Sequence, residues 1–179
     1  FRRRDLGGRA IPAGLDSVAS TERRTALRAG AERVDTVEHL LAAVYASGID
    51  DLTIALDGPE VPILDGSFAP FMTLVGRAGS VELAGQAAEL RLDHPMVVEE
   101  SGAKYRLVPD EGLTIDLTLD YREPVIGRQR VVWRVDRETF LAEIAPARTF
   151  GLATFALLAT QLAPPPAMVA DCILPVPLH

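Results

Sequence analysis

Positions 113 to 120 read Leu113-Thr114-Ile115-Asp116-Leu117-Thr118-Leu119-Asp120, apolar and polar in strict alternation. A period of two puts every apolar side chain on one face, so the pattern predicts a half-buried strand of an antiparallel sheet over 113–121. Shorter runs predict further strands over 51–56, 90–92, 96–99, 105–108 and 130–135. Three stretches shift to a helical period. Over about 36–46, Val37, Leu40, Leu41 and Val44 fall on one face, with Asp35 or Thr36 able to cap the start and Gly48 to end it. A second helix is expected over about 68–78, with Ser67 as cap and Gly79 as stop, and a third over about 137–144 after Asp136.

The two halves share an outline of strands followed by a helix, and the small residues at 85–88 make a plausible linker. The expected fold class is therefore α+β, with two similar small domains, each a β-sheet packed against helices, and the second incomplete. The first spans 1–85 and the second 86–151. An atypical tail rich in Ala, Leu and Pro runs over 152–179, with Asp171 as its one charge.

Composition narrows the class. The chain is 48% apolar and 24% charged, the profile of a globular protein with a sizeable core. Its net charge of −7 gives no long-range pull on nucleic acid phosphates, so no nucleic acid partner is expected. The lone Cys172 has no internal disulfide partner, which fits a reducing compartment. No signal peptide is read at the start, and Phe1 in place of Met implies that the true N-terminus lies upstream. The long uncharged stretch over 152–170 is interrupted at Pro164, Pro165 and Pro166, and its apolar part is too short to span a bilayer, so no membrane segment is expected.

The sharpest chemical signal is Thr36-Val37-Glu38-His39-Leu40. Neighbouring helical residues diverge by about 100°, so Glu38 and His39 would not chelate one ion side by side. They can serve one metal in different roles. The positive end of the helix dipole favours a neutral, ligating His and an ionised Glu. A structural alternative is a capping box, with Glu38 bonding back to Asp35, and a packed or surface His39. A second stretch, Asp57-Gly58-Pro59-Glu60-Val61-Pro62-Ile63-Leu64-Asp65-Gly66-Ser67, mixes acids with Gly and Pro. A tight turn leading to a helix cap accounts for most of it; Asp57 and Asp65 could ligate a metal, although carboxylates alone suit Mg or Ca better than Zn. A third, Ala147-Arg148-Thr149-Phe150-Gly151, offers a hydroxyl donor for an oxyanion or an ordinary helix exit. His94, before Pro95, reads as a solvent-facing bystander, and His179 as a frayed terminus.

Taken together and in order, these stretches resemble the UDP-3-O-acyl-N-acetylglucosamine deacetylase family. The resemblance rests on Thr36 to Ala43, Ser47-Gly48-Ile49-Asp50, Pro59 to Ser67, Ala69-Pro70-Phe71, Pro124 to Gln129 and Ala147 to Gly151. Upstream, Ser20-Thr21-Glu22-Arg23 with Thr25 and Leu27 looks like the family's strand before the Glu-His helix. The likeness runs from Phe1 to about Gly151. It implies two domains of similar fold, each a sheet with two helices, and an active site between them. It also implies a cytoplasmic, zinc-dependent hydrolase of lipid A biosynthesis, monomeric when complete. Its reaction removes the acetyl group of UDP-3-O-(3-hydroxyacyl)-N-acetylglucosamine as acetate. By this resemblance His39 is a Zn2+ ligand, Glu38 the general base on zinc-bound water, and Thr149 a donor to the oxyanion. Phe150 and Gly151 would line the substrate. The family's His-Lys-x-x-Asp element, with two further ligands, and its later general-acid His have no counterpart here. The chain alone is thus expected to be inactive, and the alternative is a non-catalytic sugar-nucleotide-binding or structural homologue.

Overall fold

A computed structural model describes residues 1–87, 91–100, 102–122 and 126–149. The chain is mixed helix and strand, in agreement with the α+β expectation. Its described residues divide into two compact units: one comprises Phe1–Ser80 together with residues 141–149, the other lies within Val81–Phe140. The stretch 141–149, expected with the second half, therefore belongs to the first unit. Among the described residues no helix is long and apolar enough to cross a membrane.

The first unit is built from short strands. β1 (Arg2–Arg3) pairs in parallel with β5 (Ala55–Leu56), and β2 (Val18–Ser20), β3 (Ala26–Ala29) and β4 (Glu32–Val34) form an antiparallel sheet in the order β2-β3-β4. Of the strand expected over 51–56, only its last two residues are extended in a ladder. Strands of two to four residues are too short to show a period, so β1 to β4 leave no alternation in the sequence. Two helices follow, α1 (Glu38–Ala46) and α2 (Ala69–Ala78). The core is apolar and continuous across these elements: Ile11, Leu27, Val34, Val37, Leu40, Ala43, Val61, Phe71 and Met72 are all buried. Removing that much apolar surface from water is what holds such short elements in place.

Both helix ends follow local chemistry. Gly48, at φ +67°, stops α1 as expected. Its N–H reaches Tyr45 O at 2.9 Å and the N–H of Ile49 reaches Val44 O at 3.3 Å, the paired bonds of a Schellman end. α2 starts one residue later than expected; the Ser67 hydroxyl accepts from the N–H of Ala69 at 3.3 Å, and Gly79 at φ +73° follows its last residue.

The second unit contains two antiparallel ribbons: β6 (Met96–Glu100) with β7 (Ala103–Leu107), and β8 (Leu113–Asp120) with β9 (Arg128–Val135). The antiparallel pairing expected at 113–120 is realised, but the expected half-burial is not: Leu113, Ile115 and Leu117 stay exposed, because the ribbon β8-β9 has no further layer packed on its apolar face among the described residues. Ile115 and Leu117 lie opposite Trp133 and Val131 on one face, while Arg130 grips Asp116 through two 2.8 Å bonds on the other. Arg91 and Leu92 are not extended in a ladder, and Leu90 lies outside the described residues. The third helix differs from the expectation. Asp136 caps a single α-helical turn, α3 (Arg137–Thr139), by accepting from the N–H of Thr139 at 2.7 Å. The backbone then widens into a π-helical turn over Phe140–Ile144.

Candidate functional site

The Glu38-His39 pair opens α1, and three backbone devices fix how it does so. The N–H of Asp35 donates to Pro59 O at 2.8 Å and Asp35 O accepts from Val61 at 3.1 Å, so the chain before the helix is bridged to the 59–61 loop. The next residue, Thr36, sits at φ +59° and is buried. A β-branched residue there costs on the order of 1–3 kcal/mol, which surrounding contacts must over-determine. One such contact is the Thr36 hydroxyl, which donates to Glu60 Oε1 at 2.6 Å. Finally Thr25 grips the first helical turn from both sides: its carbonyl accepts from the N–H of Val37 at 3.2 Å, and its own N–H donates to Glu38 Oε2 at 2.9 Å.

These contacts correct two expectations. The helix begins at Glu38, not Thr36, because a residue in the left-handed region cannot carry a right-handed helix. Asp35 is not its cap, and no capping box forms. The Asp35 carboxylate instead meets Arg24 at 3.3 Å and pairs with Arg33, while the Glu38 carboxylate turns to Thr25. That leaves Glu38 Oε1 without a protein donor among the described residues.

His39 is buried, and its ring stacks on Phe68 with centroids 4.9 Å apart and planes at 29°. Its Nδ1 is buried with no hydrogen-bond partner among the described residues. An orphaned ring nitrogen is an unusual feature, since buried polar atoms are nearly always satisfied. Left open at the start of α1, it is a ring nitrogen available to a ligand.

The 57–68 loop assembles the rest. Asp57 is exposed and tied to Arg4 by bonds of 2.8 and 2.5 Å. Asp65 accepts from both the N–H (3.0 Å) and the hydroxyl (2.8 Å) of Ser67. Burial opposes ionisation of Asp65, but the Ser67 amide and hydroxyl, with the Arg148 charge, outweigh it and hold the carboxyl below the usual range. Asp65 thus serves the turn and cap, as the structural reading of this loop expects, while Asp57 is engaged in an exposed ion pair with Arg4. Gly66, at φ +80°, then turns its carbonyl to accept the N–H of Thr149 at 2.8 Å, and Ser67 bridges Arg148. Ala145 O accepts from the N–H groups of Phe68 (3.0 Å) and Ala69 (3.1 Å), so the 145–149 stretch is docked on the start of α2.

Three expected site residues are thereby brought to one frame. Glu38 and His39 lead α1; His39 leans on Phe68; Thr149 hangs from Gly66, two residues earlier, so the two anchor points lie within about 7 Å. Phe150 and Gly151 fall outside the described residues. Sequence reasoning missed Thr25, Thr36, Glu60 and Phe68 as partners of the site, because two act through backbone or φ and two through contacts that no local spacing reports. Among the described residues no group of three or more His, Cys, Asp or Glu side chains could hold a metal.

The sequence profile of the UDP-3-O-acyl N-acetylglycosamine deacetylase family matches residues 1–161. Proteins named UDP-3-O-acyl-N-acetylglucosamine deacetylase from Brucella ovis, Brucella canis and Brucella suis are each 39% identical over 152 residues, covering 84% of this chain and 53% of theirs. The chain thus spans about half the length of these relatives. It belongs to the UDP-3-O-acyl N-acetylglycosamine deacetylase family.

Proposed function

We propose, on the premise of that membership, that the full-length protein deacetylates UDP-3-O-(3-hydroxyacyl)-N-acetylglucosamine with zinc, releasing acetate in an early step of lipid A biosynthesis. The observation that carries the reading is the buried, unpartnered Nδ1 of His39 beside Glu38. The residues fit zinc as one part of a site: His39 offers a buried imidazole nitrogen, the donor type zinc accepts, with no protein partner among the described residues. Catalytic zinc takes three protein ligands, so the full-length protein must supply two more. When bound, zinc supplies Lewis acidity, polarising an amide carbonyl and acidifying water.

The chain's own residues have distinct tasks. Thr25 holds one oxygen of Glu38, which fixes the carboxylate and leaves Oε1 to take a proton from water as general base. The exposed Thr149, fixed at its backbone by Gly66, can present its hydroxyl to the oxygen that becomes negative as the amide is attacked. Phe150 and Gly151, next in sequence, would line the substrate. The reading carries with it a cytoplasmic enzyme, monomeric when complete, with no nucleic acid partner. Residues 1–179 alone would neither retain catalytic zinc nor turn over.

A second reading is a non-catalytic sugar-nucleotide-binding or structural homologue, which a full-length protein lacking a downstream His-Lys-x-x-Asp element would favour. Acetate release from the acylated UDP-sugar by the purified full-length protein, with zinc present, separates the two. Turnover supports the enzyme; binding of the nucleotide sugar without acetate release supports the homologue and sinks the deacetylase.

A further inference from the structure

We infer that Glu60 is a positioning residue for the Glu38-His39 pair, acting through Thr36. The inference deepens the deacetylase reading and rests on it for the identity of the reaction. The backbone of α1 starts from Thr36, whose left-handed conformation turns the chain out of β4 and into the helix. Rotation about that one residue would swing the whole first turn, and with it the direction in which Glu38 and His39 leave the helix. Two links hold it: the Thr36 hydroxyl on Glu60 Oε1 at 2.6 Å, and the Asp35–Glu60 backbone bridge. Glu60 itself is an exposed acid with no cationic partner among the described residues, so surface charge pairing does not explain why this loop carries it. A charge-assisted hydrogen bond to a buried hydroxyl does.

The Thr25–Glu38 bond reports on the arrangement. If the entry to α1 shifts, the Thr25 N–H loses Glu38 Oε2, whereas the amides of the β3–β4 ladder keep their partners. The experiment is hydrogen exchange on the metal-free full-length protein and on its Glu60→Ala, Glu60→Gln and Thr36→Val variants. Glu60→Ala and Thr36→Val should each lower protection of the Thr25 amide about ten- to a hundredfold, the size of one charge-assisted bond, with the β3–β4 amides unchanged. Glu60→Gln, whose amide oxygen still accepts from the hydroxyl, should stay within about threefold of wild type. The double variant should do no more than either single change, because both remove the same bond. With zinc and substrate, the same two variants should lose kcat with KM unchanged, as expected of a group that sets geometry in the transition state. Unchanged Thr25 protection, or a fall shared by the β3–β4 amides, overturns the inference. If Glu60→Ala does not fold, Thr36→Val against Glu60→Gln makes the same comparison. A wild-type protein without acetate release would remove the proposed reaction, yet the exchange readout would still decide whether Glu60 positions α1.

Discussion

The backbone N–H of Thr25 holds Glu38 by one carboxylate oxygen, at 2.9 Å. A carboxylate held this way is fixed in orientation without being neutralised. If Glu38 is the general base, Glu38→Gln should keep the Thr25 bond through its amide oxygen, keep the fold and keep the metal. It should still lose about 10²–10⁴-fold in kcat. If Glu38 only ties the helix to Thr25, turnover per folded molecule should survive the change. Rate measurements beside metal analysis of the full-length variant distinguish the outcomes.

His39→Ala should lower zinc content of the full-length protein, since it removes a buried nitrogen left open for a ligand. It also removes the ring packed on Phe68, so stability should fall as well. His39→Phe restores an aromatic ring without a lone pair. It should recover much of the lost stability and none of the zinc. Stoichiometric zinc in either variant would take His39 out of the ligand set.

How far the site could be read from sequence follows from which forces act locally. The strand over 113–120 and the helices near 36–46 and 68–78 announce themselves through the period of their apolar positions, which go into the core from the helices while Leu113, Ile115 and Leu117 of the strand stay exposed. The Glu38-His39 pair was legible as chemistry for the same reason, sitting at the start of a periodic segment. The capping box was the plausible local solution for Glu38 and failed because Arg24 and Arg33 compete for Asp35 and Thr25 offers an amide. The strain at Thr36 could not be read at all, since nothing in Thr-Val-Glu-His marks a positive φ. The docking of Thr149 on Gly66 joins positions far apart in the chain, and no spacing rule spans them.

Gly66 offers a direct test of that docking. Its φ of +80° favours glycine, and a Cβ there would lie 3.4 Å from Thr149 Cγ2 and 3.9 Å from its backbone nitrogen. Van der Waals contact at that distance is tolerable, so the left-handed backbone is the larger cost. Gly66→Ala should destabilise the fold by about 1–2 kcal/mol, read as a lower denaturation midpoint at unchanged m-value. If the Gly66–Thr149 bond also matters to the reaction, kcat should fall in molecules that remain folded.

Asp65 supplies a pH dependence whose sign can be worked out. Burial opposes its ionisation, but the Ser67 amide, the Ser67 hydroxyl and the Arg148 charge together hold its folded pKa below the ordinary 3.8. A group with a depressed folded pKa stabilises the fold above its unfolded pKa and loses that contribution as pH falls through the folded value. The stability difference between wild type and Asp65→Asn should therefore be flat from neutral pH down to about pH 5. It should then shrink as acidification protonates Asp65. The asparagine can still accept from Ser67, so the difference isolates the charge rather than the turn. Chemical denaturation of both proteins across the acid range measures it. A difference that grows on acidification would mean that burial wins at Asp65 and that the Ser67 cap does not hold an ionised carboxylate.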